Sequence, residues 1–470
     1  MKKFLSMLLA IVMVVSMIIP VSAGSKKELD FKDRHTFAEV ESTLKDLSKD
    51  YSTITELFSL GTTWRENNIW CLKITNKSID DSKKTGIAVI ANIHGGEQEA
   101  GESALYSAVT LCKESTTKEI KEILDNYIIY IVPVMNPDGY IQSFVLNNRP
   151  NLHPTDHNGN GVSFSDPYTD INGDGFISTI YKGTKDTKEA DREKIGMESP
   201  DWDKNGKLGD DPRTSGIDLN RTFNYNYGRY DIETDPEINK ESKSVVGSDA
   251  TTTNGNGKAG GTEPEVKAIQ NFFAKYPVDA MTTVHTGQQS VLYPWCYRAY
   301  DPNNELDDQI PHMKAVSEKL AKIYTDYTGR NFYSKQSHSD YPTSAEMIDY
   351  TYGRHRINSY TIEVYGPGMS DPNSDDIYYR SLWNNKLPET KWQFYDQKQI
   401  KEELKLDPDS LGLKKGEGLW FKTDARAQMS GKAPTDQDVM VKGFYEVLIE
   451  LIKSEEPGGN NNYVLPEYMK

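Results

Sequence analysis

The segment from Gly86 to Glu97 restricts the possible folds of this chain more than any other part of it. Within this segment, Val89 to Ile93 is largely apolar and β-branched, which is typical of a strand buried on both faces of an α/β sheet. The strand leads directly into His94, and Glu97 follows three positions later. Ligands bind at the carboxyl ends of the strands in open α/β sheets, so we expect this pair of residues at a binding site.

A His-x-x-Glu pair occurs by chance in long chains, so its meaning depends on what else the sequence holds. A neutral imidazole and a carboxylate suit zinc, which in catalytic sites takes a third protein ligand and keeps one position open. His285 ends a second predicted strand, at 279–284, as His94 ends its own. His94, Glu97 and His285 therefore predict a site for one zinc ion. Glu363 ends a third predicted strand, where a carboxylate that does not bind the metal can take a proton from water activated by zinc.

The first 23 residues have the pattern of a secretory signal peptide. Lys2 and Lys3 precede a run from Leu5 to Ile19 that is apolar except for two serines, and Val21-Ser-Ala23 has the small-x-small pattern of a cleavage site. We expect a secreted, extracellular protein that starts near Gly24 and has no membrane association once the signal is removed. Removing the two lysines takes the formal charge from −16 to −18, which argues against nucleic acid as a partner.

The remaining sequence alternates predicted strands with predicted helices. This order predicts an α/β fold with a mixed, mostly parallel twisted sheet and helices on both faces. We expect one catalytic domain at 24–456, with long insertions at about 147–212 and 370–433, and a disordered tail at 457–470. Only three cysteines occur, too few for a disulfide framework, and the sequence leaves open whether one bridge forms.

Six motifs follow one another along the chain. They are His94-Gly-Gly-Glu97, Pro133-Val-Met-Asn-Pro-Asp-Gly-Tyr140, Gly216-Ile-Asp-Leu-Asn-Arg221, His285-Thr-Gly ahead of Leu292-Tyr-Pro294, Tyr341 with Asp349 eight positions on, and Thr361-Ile-Glu363. In this order the chain resembles the zinc carboxypeptidases related to carboxypeptidase A, as a secreted member of bacterial type, from about residue 30 to 455. The resemblance implies a carboxypeptidase-like fold and a metallocarboxypeptidase that hydrolyses the C-terminal residue of peptides.

The resemblance also implies roles for individual residues. It makes His94, Glu97 and His285 the zinc ligands and Glu363 the general base. Asp218 resembles the residue that hydrogen-bonds a zinc histidine and fixes its tautomer. The residues implied to contact the substrate are Asn220, Arg221 and Tyr341 at its terminal carboxylate, Ile348 and Thr361 at the pocket for its terminal side chain, and Arg213 at the scissile carbonyl.

The pocket residues imply a substrate preference. Ile348 holds the position that in this family lines the base of the pocket, where an acidic residue would favour lysine or arginine and isoleucine favours apolar or aromatic ends. Thr361 is similar to the residue of the A-type pocket. We expect a monomer that acts on peptide or protein C-termini. Two alternatives remain: a hydrolase of the same family that cuts cell-wall peptides at γ-D-glutamyl bonds, and a secreted binding protein that has lost catalysis.

The acidic insertion holds three copies of the pattern Asp-x-[Asp/Asn]-x-[Asp/Asn]-Gly. This pattern is the first half of a calcium loop, in which alternate oxygen side chains face one ion and glycine permits the sharp turn. The glutamate of a complete loop is missing at the twelfth position of each copy. The segment is therefore either a calcium site or an acidic surface loop without an ion. The candidate calcium ligands are Asp156, Asn158 and Asn160, then Asp170, Asn172 and Asp174, then Asp201, Asp203 and Asn205.

Overall fold

An eight-stranded mixed sheet is the main element of the fold. In spatial order its strands are β1 (Thr55–Thr62), β2 (Asn68–Ile74), β4 (Tyr127–Val132), β3 (Thr85–Ala91), β7 (Ala280–His285), β10 (Asn358–Glu363), β8 (Ser290–Tyr293) and β9 (Tyr333–Gln336). The pairs β4–β3, β3–β7 and β7–β10 are parallel, so these four central strands point the same way. β2 and β8 pair antiparallel with the outer two of these strands. The prediction of a mixed, mostly parallel sheet is confirmed.

The computed structural model describes residues 29–146, 148–212, 216–227, 260–365, 389–424, 428, 432–434 and 436–457. The predicted signal peptide, Arg213 and nearly all of the predicted tail lie outside these ranges. From Phe31 onwards, the described residues fall in one compact unit.

Helices cover both faces of the large sheet. Within the described ranges they are α1 (Phe37–Asp50), α2 (Gln98–Lys113), α3 (Lys118–Asn126), α4 (Pro137–Gln142), α5 (Pro264–Lys275), α6 (Ile310–Thr328), α7 (Met347–His355), α8 (Gln397–Glu402) and α9 (Gln437–Lys453). All of β3 is buried, and its Ala88 and Ile90 pack with Ile269 of α5 and Ile348 of α7. Successive strand residues point to opposite faces, so the residues between them face the other side of the sheet, where α2 and α9 pack together.

A second sheet joins the two predicted insertions. Its strands, in spatial order, are β11 (Lys391–Tyr395), β12 (Gly418–Thr423), β5 (Thr179–Gly183) and β6 (Glu193–Met197), and every pair is antiparallel. The first two strands come from the later insertion and the last two from the earlier one. They share a hydrophobic core that includes Ile180, Leu208, Leu419 and Phe421. The two insertions therefore form one substructure.

The structure shows the state of the three cysteines and the length and polarity of the helices. Cys71, Cys112 and Cys296 are all buried and free, so the single bridge left open by the sequence is not formed. Within the described residues, every helix is too short or too polar to cross a bilayer.

Candidate active site

His94, Glu97 and His285 meet at the carboxyl ends of neighbouring parallel strands. β3 ends at Ala91, shortly before His94, and His285 is the last residue of β7. The carboxylate of Glu97 contacts both rings: Oε1 lies 2.7 Å from Nδ1 of His94, and Oε2 lies 3.0 Å from Nδ1 of His285. One ligand atom from each residue lies within 4.8 Å of the other two, and each residue is at most 9% exposed. The structure thus brings together the three residues predicted to bind zinc.

The loop between β3 and α2 is held by Asn92 and shaped by a glycine. Asn92 has a φ of 55°, and its Nδ2 donates hydrogen bonds to the carbonyls of His94, Gly95 and Glu97 at 3.1, 3.3 and 3.0 Å. Gly95 packs against the backbone of Gly139, so closely that a Cβ would lie 2.2 Å from the Gly139 carbonyl carbon. Position 95 therefore requires glycine, and the loop holds the two candidate ligands in a fixed relation.

The second nitrogen of each imidazole has its own partner. Nε2 of His94 lies 3.0 Å from Oδ1 of Asp218, the residue predicted to fix the histidine tautomer. Nε2 of His285 lies 3.1 Å from Oγ1 of Thr283. The Nε2 contacts orient both rings so that their Nδ1 atoms face Glu97. A hydrogen bond at the second ring nitrogen is typical of histidines that bind a metal.

The donor set fits a zinc ion. Two imidazole nitrogens and one carboxylate form the His₂Glu set of hydrolytic zinc sites. Burial disfavours the charged form of Glu97, but His94 and His285 outweigh it and hold the pKa of this carboxyl well below its ordinary value. The carboxylate is therefore ionised, as a metal ligand must be.

Glu363 is placed beside the metal ligands as a free carboxyl group. It ends β10 and lies opposite His285 in the register of the parallel strands. Its Oε2 is buried and has no hydrogen-bond partner in the part of the chain that the structure describes. Burial raises the pKa of Glu363 to about 8, although His285 opposes the rise. A divalent cation bound nearby would lower this pKa and leave Glu363 a base near neutral pH.

Arg221 forms the centre of a second polar cluster. It is 3% exposed, with Nη1 lying 2.9 Å from Oε1 of Glu346 and Nη2 donating a hydrogen bond to the Tyr341 hydroxyl at 3.3 Å. Asn220 is also buried, and its Oδ1 accepts a hydrogen bond from the Met347 amide at 3.0 Å. The structure therefore brings together the three residues predicted to bind the terminal carboxylate of a substrate.

One cavity connects the two clusters. Residues predicted from the sequence that line it are His94, Glu97, His285, Glu363, Asn220, Arg221, Tyr341 and Thr361. Charged residues that line it without having been predicted are Arg149, Asp340 and Glu346. The cavity thus encloses the candidate metal ligands, the candidate base and the arginine predicted to bind a carboxylate.

Arg149 is a site residue that sequence reasoning missed. Its Nε donates a hydrogen bond to Oδ2 of Asp218 at 2.8 Å, and its Nη1 lies 3.4 Å from Oε1 of Glu97. Arg213, predicted to act at the scissile carbonyl, lies outside the described residues, so that prediction is untested. Arg149 reaches the site through a tertiary contact, because its carbonyl accepts a hydrogen bond from the Gly95 amide of the metal loop at 3.1 Å.

The structure corrects the predicted floor of the pocket. Ile348 is completely buried and packs in the hydrophobic core instead of lining the cavity. α7 begins at Met347, so the residue that reaches the cavity is the one before the helix, Glu346. Thr361 does line the cavity. Ile348 was predicted to line the base of the pocket, but the first turn of α7 directs it into the core.

An α/β fold with a buried His₂Glu set at its strand ends and a glutamate beside it defines a zinc hydrolase. Residues 40–378 match the model of the family described as zinc carboxypeptidase. The chain belongs to this family and is a metallocarboxypeptidase.

Individual relatives agree with this assignment. Mast cell carboxypeptidase A of Homo sapiens is 23% identical over 362 residues, which is 73% of this chain and 68% of that protein. Carboxypeptidase M of Mus musculus is 32% identical over 156 residues, or 31% of this chain and 33% of that protein. The chain is also similar in fold to thrombin activatable fibrinolysis inhibitor, with a TM-score of 0.54 at 14% identity over 90% of this chain and 74% of that one. For carboxypeptidase A of Helicoverpa armigera the TM-score is 0.52 at 18% identity, and the match covers 76% of this chain and 70% of that one.

Proposed function

We propose that this metallocarboxypeptidase is a secreted, monomeric exopeptidase that removes the C-terminal residue of peptides. The observation that carries the proposal is Arg221, a buried guanidinium that lines the same cavity as the metal-binding candidates. A planar guanidinium binds a carboxylate through paired hydrogen bonds. A substrate whose terminal carboxylate binds there would present its last peptide bond to the metal site. Secretion is proposed from the signal-peptide pattern alone.

The residues of the cavity have different roles in the proposed reaction. His94, Glu97 and His285 would hold a zinc ion, which would supply Lewis acidity and lower the pKa of water. Glu363 takes the proton of the attacking water and passes it to the leaving amine. Arg149 stabilises the negative charge that develops on the carbonyl oxygen, because its guanidinium lines the cavity beside Glu97.

The purified protein is expected to hold about one zinc ion per chain and to release single residues from peptide C-termini. A chelator should stop the release and added zinc should restore it, because activation of the attacking water depends on the bound ion. Metal analysis and mass spectrometry of the products measure both. Full activity without metal would refute the zinc assignment. Cleavage of γ-D-glutamyl cell-wall peptides, with ordinary peptides left intact, would support the alternative substrate class.

Glu346 affects the charge balance of the pocket and through it the choice of substrate. Its carboxylate pairs with Arg221, so this buried pair is neutral before a substrate binds. A substrate carboxylate at Arg221 adds one negative charge, which a terminal lysine or arginine would balance and a terminal phenylalanine would not. The apolar or aromatic preference predicted from Ile348 and Thr361 therefore competes with a basic preference. The charge balance at Arg221 favours the basic one.

Matched peptides that end in arginine and in phenylalanine distinguish the two preferences. We expect kcat/KM to be at least about tenfold higher for the arginine peptide, and Glu346→Gln to remove most of this advantage. Asp340→Asn is the matched control, because Asp340 lines the same cavity but pairs with Lys335. Faster release of phenylalanine by the wild-type enzyme would instead support the apolar preference.

A further inference from the structure

The three calcium-type loops of the acidic insertion share one backbone turn. In each loop the last glycine has a φ near 85° and its amide donates a hydrogen bond to the first aspartate of the loop. The donor and acceptor pairs are Gly161 to Asp156, Gly175 to Asp170 and Gly206 to Asp201. The turn is therefore the same in all three, and the surroundings must decide which loop can hold an ion.

The third loop is joined by a buried carboxylate from elsewhere in the insertion. Asp166 is completely buried, and its Oδ1 accepts a hydrogen bond from the Asp203 amide at 3.2 Å. Its Oδ2 has no hydrogen-bond partner among the described residues. One carboxylate oxygen each from Asp166, Asp201 and Asp203 lies within 4.8 Å of the other two. An acceptor that is buried, charged and unpartnered is costly, so this cluster is built for a positive ligand.

In and beside the second loop, the backbone amides are hydrogen-bonded to a buried glutamate. Glu198 is completely buried, and its carboxylate accepts hydrogen bonds from the amides of Ile171, Asn172 and Ser178 at 2.9, 3.2 and 2.8 Å. Every carboxylate oxygen of Glu198 therefore has a partner. The second loop offers no unpartnered buried oxygen comparable to that of Asp166 in the described structure.

The first loop lies against the third. The Nδ2 atoms of Asn158 and Asn160 both donate hydrogen bonds to Oδ2 of Asp203, each at 2.7 Å. A side-chain amide can turn its oxygen towards a cation in place of its nitrogen, because the two ends have nearly the same shape. The first and third loops therefore surround the same carboxylate. The sequence predicted a candidate site in each loop, and the structure favours one site between two of them.

We propose that Asp166, Asp201 and Asp203 bind one calcium ion in the acidic insertion. The donors are all oxygens, and alternate residues of an Asp-x-Asp-x-Asn-Gly loop surround a calcium ion in proteins. Asn205, at the fifth position of the loop, supplies a further side-chain oxygen. Asp166 takes the place of the acidic residue that is missing at the twelfth position. The ion neutralises three neighbouring carboxylates that form no ion pair with the residues the structure describes.

The site is connected to the second sheet. The third loop leads into Leu208, which belongs to the core of that sheet and whose carbonyl accepts a hydrogen bond from the Met197 amide at 3.1 Å. Because Met197 ends β6, an ion that fixes the loop also fixes the edge of the sheet. Calcium therefore stabilises the insertion and takes no part in hydrolysis.

Calcium titration of the zinc-loaded, full-length protein tests the proposal. Isothermal titration calorimetry should give about one calcium ion per chain, and calcium should slow proteolysis of residues 147–212. Terbium provides a second readout, because Trp202 lies between two of the ligands in sequence and can sensitise its emission. Asp166→Asn should weaken calcium binding at least about tenfold. Asp174→Asn in the second loop is the matched control and should leave the affinity unchanged.

Several results would overturn the proposal. One is the absence of both calcium heat and terbium emission in the wild-type protein. Another is an equal affinity for calcium in the wild type and Asp166→Asn, and a third is an equal loss in Asp166→Asn and Asp174→Asn. Zinc content and peptide hydrolysis show whether Asp166→Asn is folded. If it is not, Asp203→Asn changes a more exposed ligand of the same site, and unchanged calcium binding by that variant would refute the site.

Discussion

Glu363→Gln is expected to lower kcat for release of a C-terminal residue by roughly 10²- to 10⁴-fold while the enzyme keeps about one zinc ion per chain. The amide cannot accept the proton of the attacking water, but it has nearly the same shape and does not disturb the ligands. Glu102→Gln is the matched control, because Glu102 is a buried glutamate that contacts His35 outside the cavity. Steady-state kinetics and metal analysis of both variants measure the effect.

Two outcomes would contradict the role assigned to Glu363. A variant that loses its zinc would indicate that this carboxylate is a ligand. A variant that keeps both zinc and turnover would show that another group accepts the proton. In either case the proton acceptor would have to be sought among the other residues that line the cavity.

A peptide whose C-terminus is amidated is expected to be hydrolysed roughly 10²- to 10³-fold more slowly than the same peptide with a free carboxylate. The neutral amide cannot accept the paired hydrogen bonds that the buried Arg221 gives a carboxylate, and each hydrogen bond to a charged group is worth about 1.5 to 3 kcal/mol. The ratio of kcat/KM for the two peptides measures the effect directly. Equal rates on both peptides would indicate an endopeptidase.

A double variant shows whether Arg221 recognises the terminal carboxylate, without the loss of stability that an unpaired buried charge would cause. Removing Arg221 alone leaves Glu346 as an unpaired buried charge, so the informative comparison is Arg221→Gln with Glu346→Gln against Glu346→Gln alone. The single variant keeps the guanidinium and should still discriminate against the amide. The double variant should hydrolyse both peptides at similar low rates. Continued discrimination by the double variant would place the carboxylate-binding group elsewhere.

The large sheet and the metal site could be predicted from the sequence because their signals are local. β3 and β4 are short, largely apolar runs, and β7 and β10 end in His285 and Glu363. Parallel strands present their carboxyl ends at one edge, so residues far apart in sequence were expected to meet there. The second sheet gave no such signal. β5 and β6 have mixed burial, and β5 pairs with β12, which lies far along the chain.

Arg149 and Glu346 could not be assigned from the sequence for a related reason. Arg149 lies in the long loop after α4 and Glu346 directly precedes α7, and at neither place does a periodic pattern indicate the direction of a side chain. Arg149 reaches the cavity because the chain after α4 passes the metal loop, and Glu346 reaches it because α7 starts one residue later. A shift of one position at a helix start decides which side chain faces a pocket. The identity of the pocket residue therefore depended on tertiary structure.

The contact between Gly95 and Gly139 has a consequence for protein engineering. The ligands His94 and Glu97 look like a short motif that could be transferred to another scaffold, but their loop takes its shape from a turn encoded elsewhere in the gene. A graft of β3, its loop and α2 alone would lack the turn against which Gly95 packs. The smallest transferable unit for these two ligands is thus discontinuous, because it includes the turn that contains Gly139.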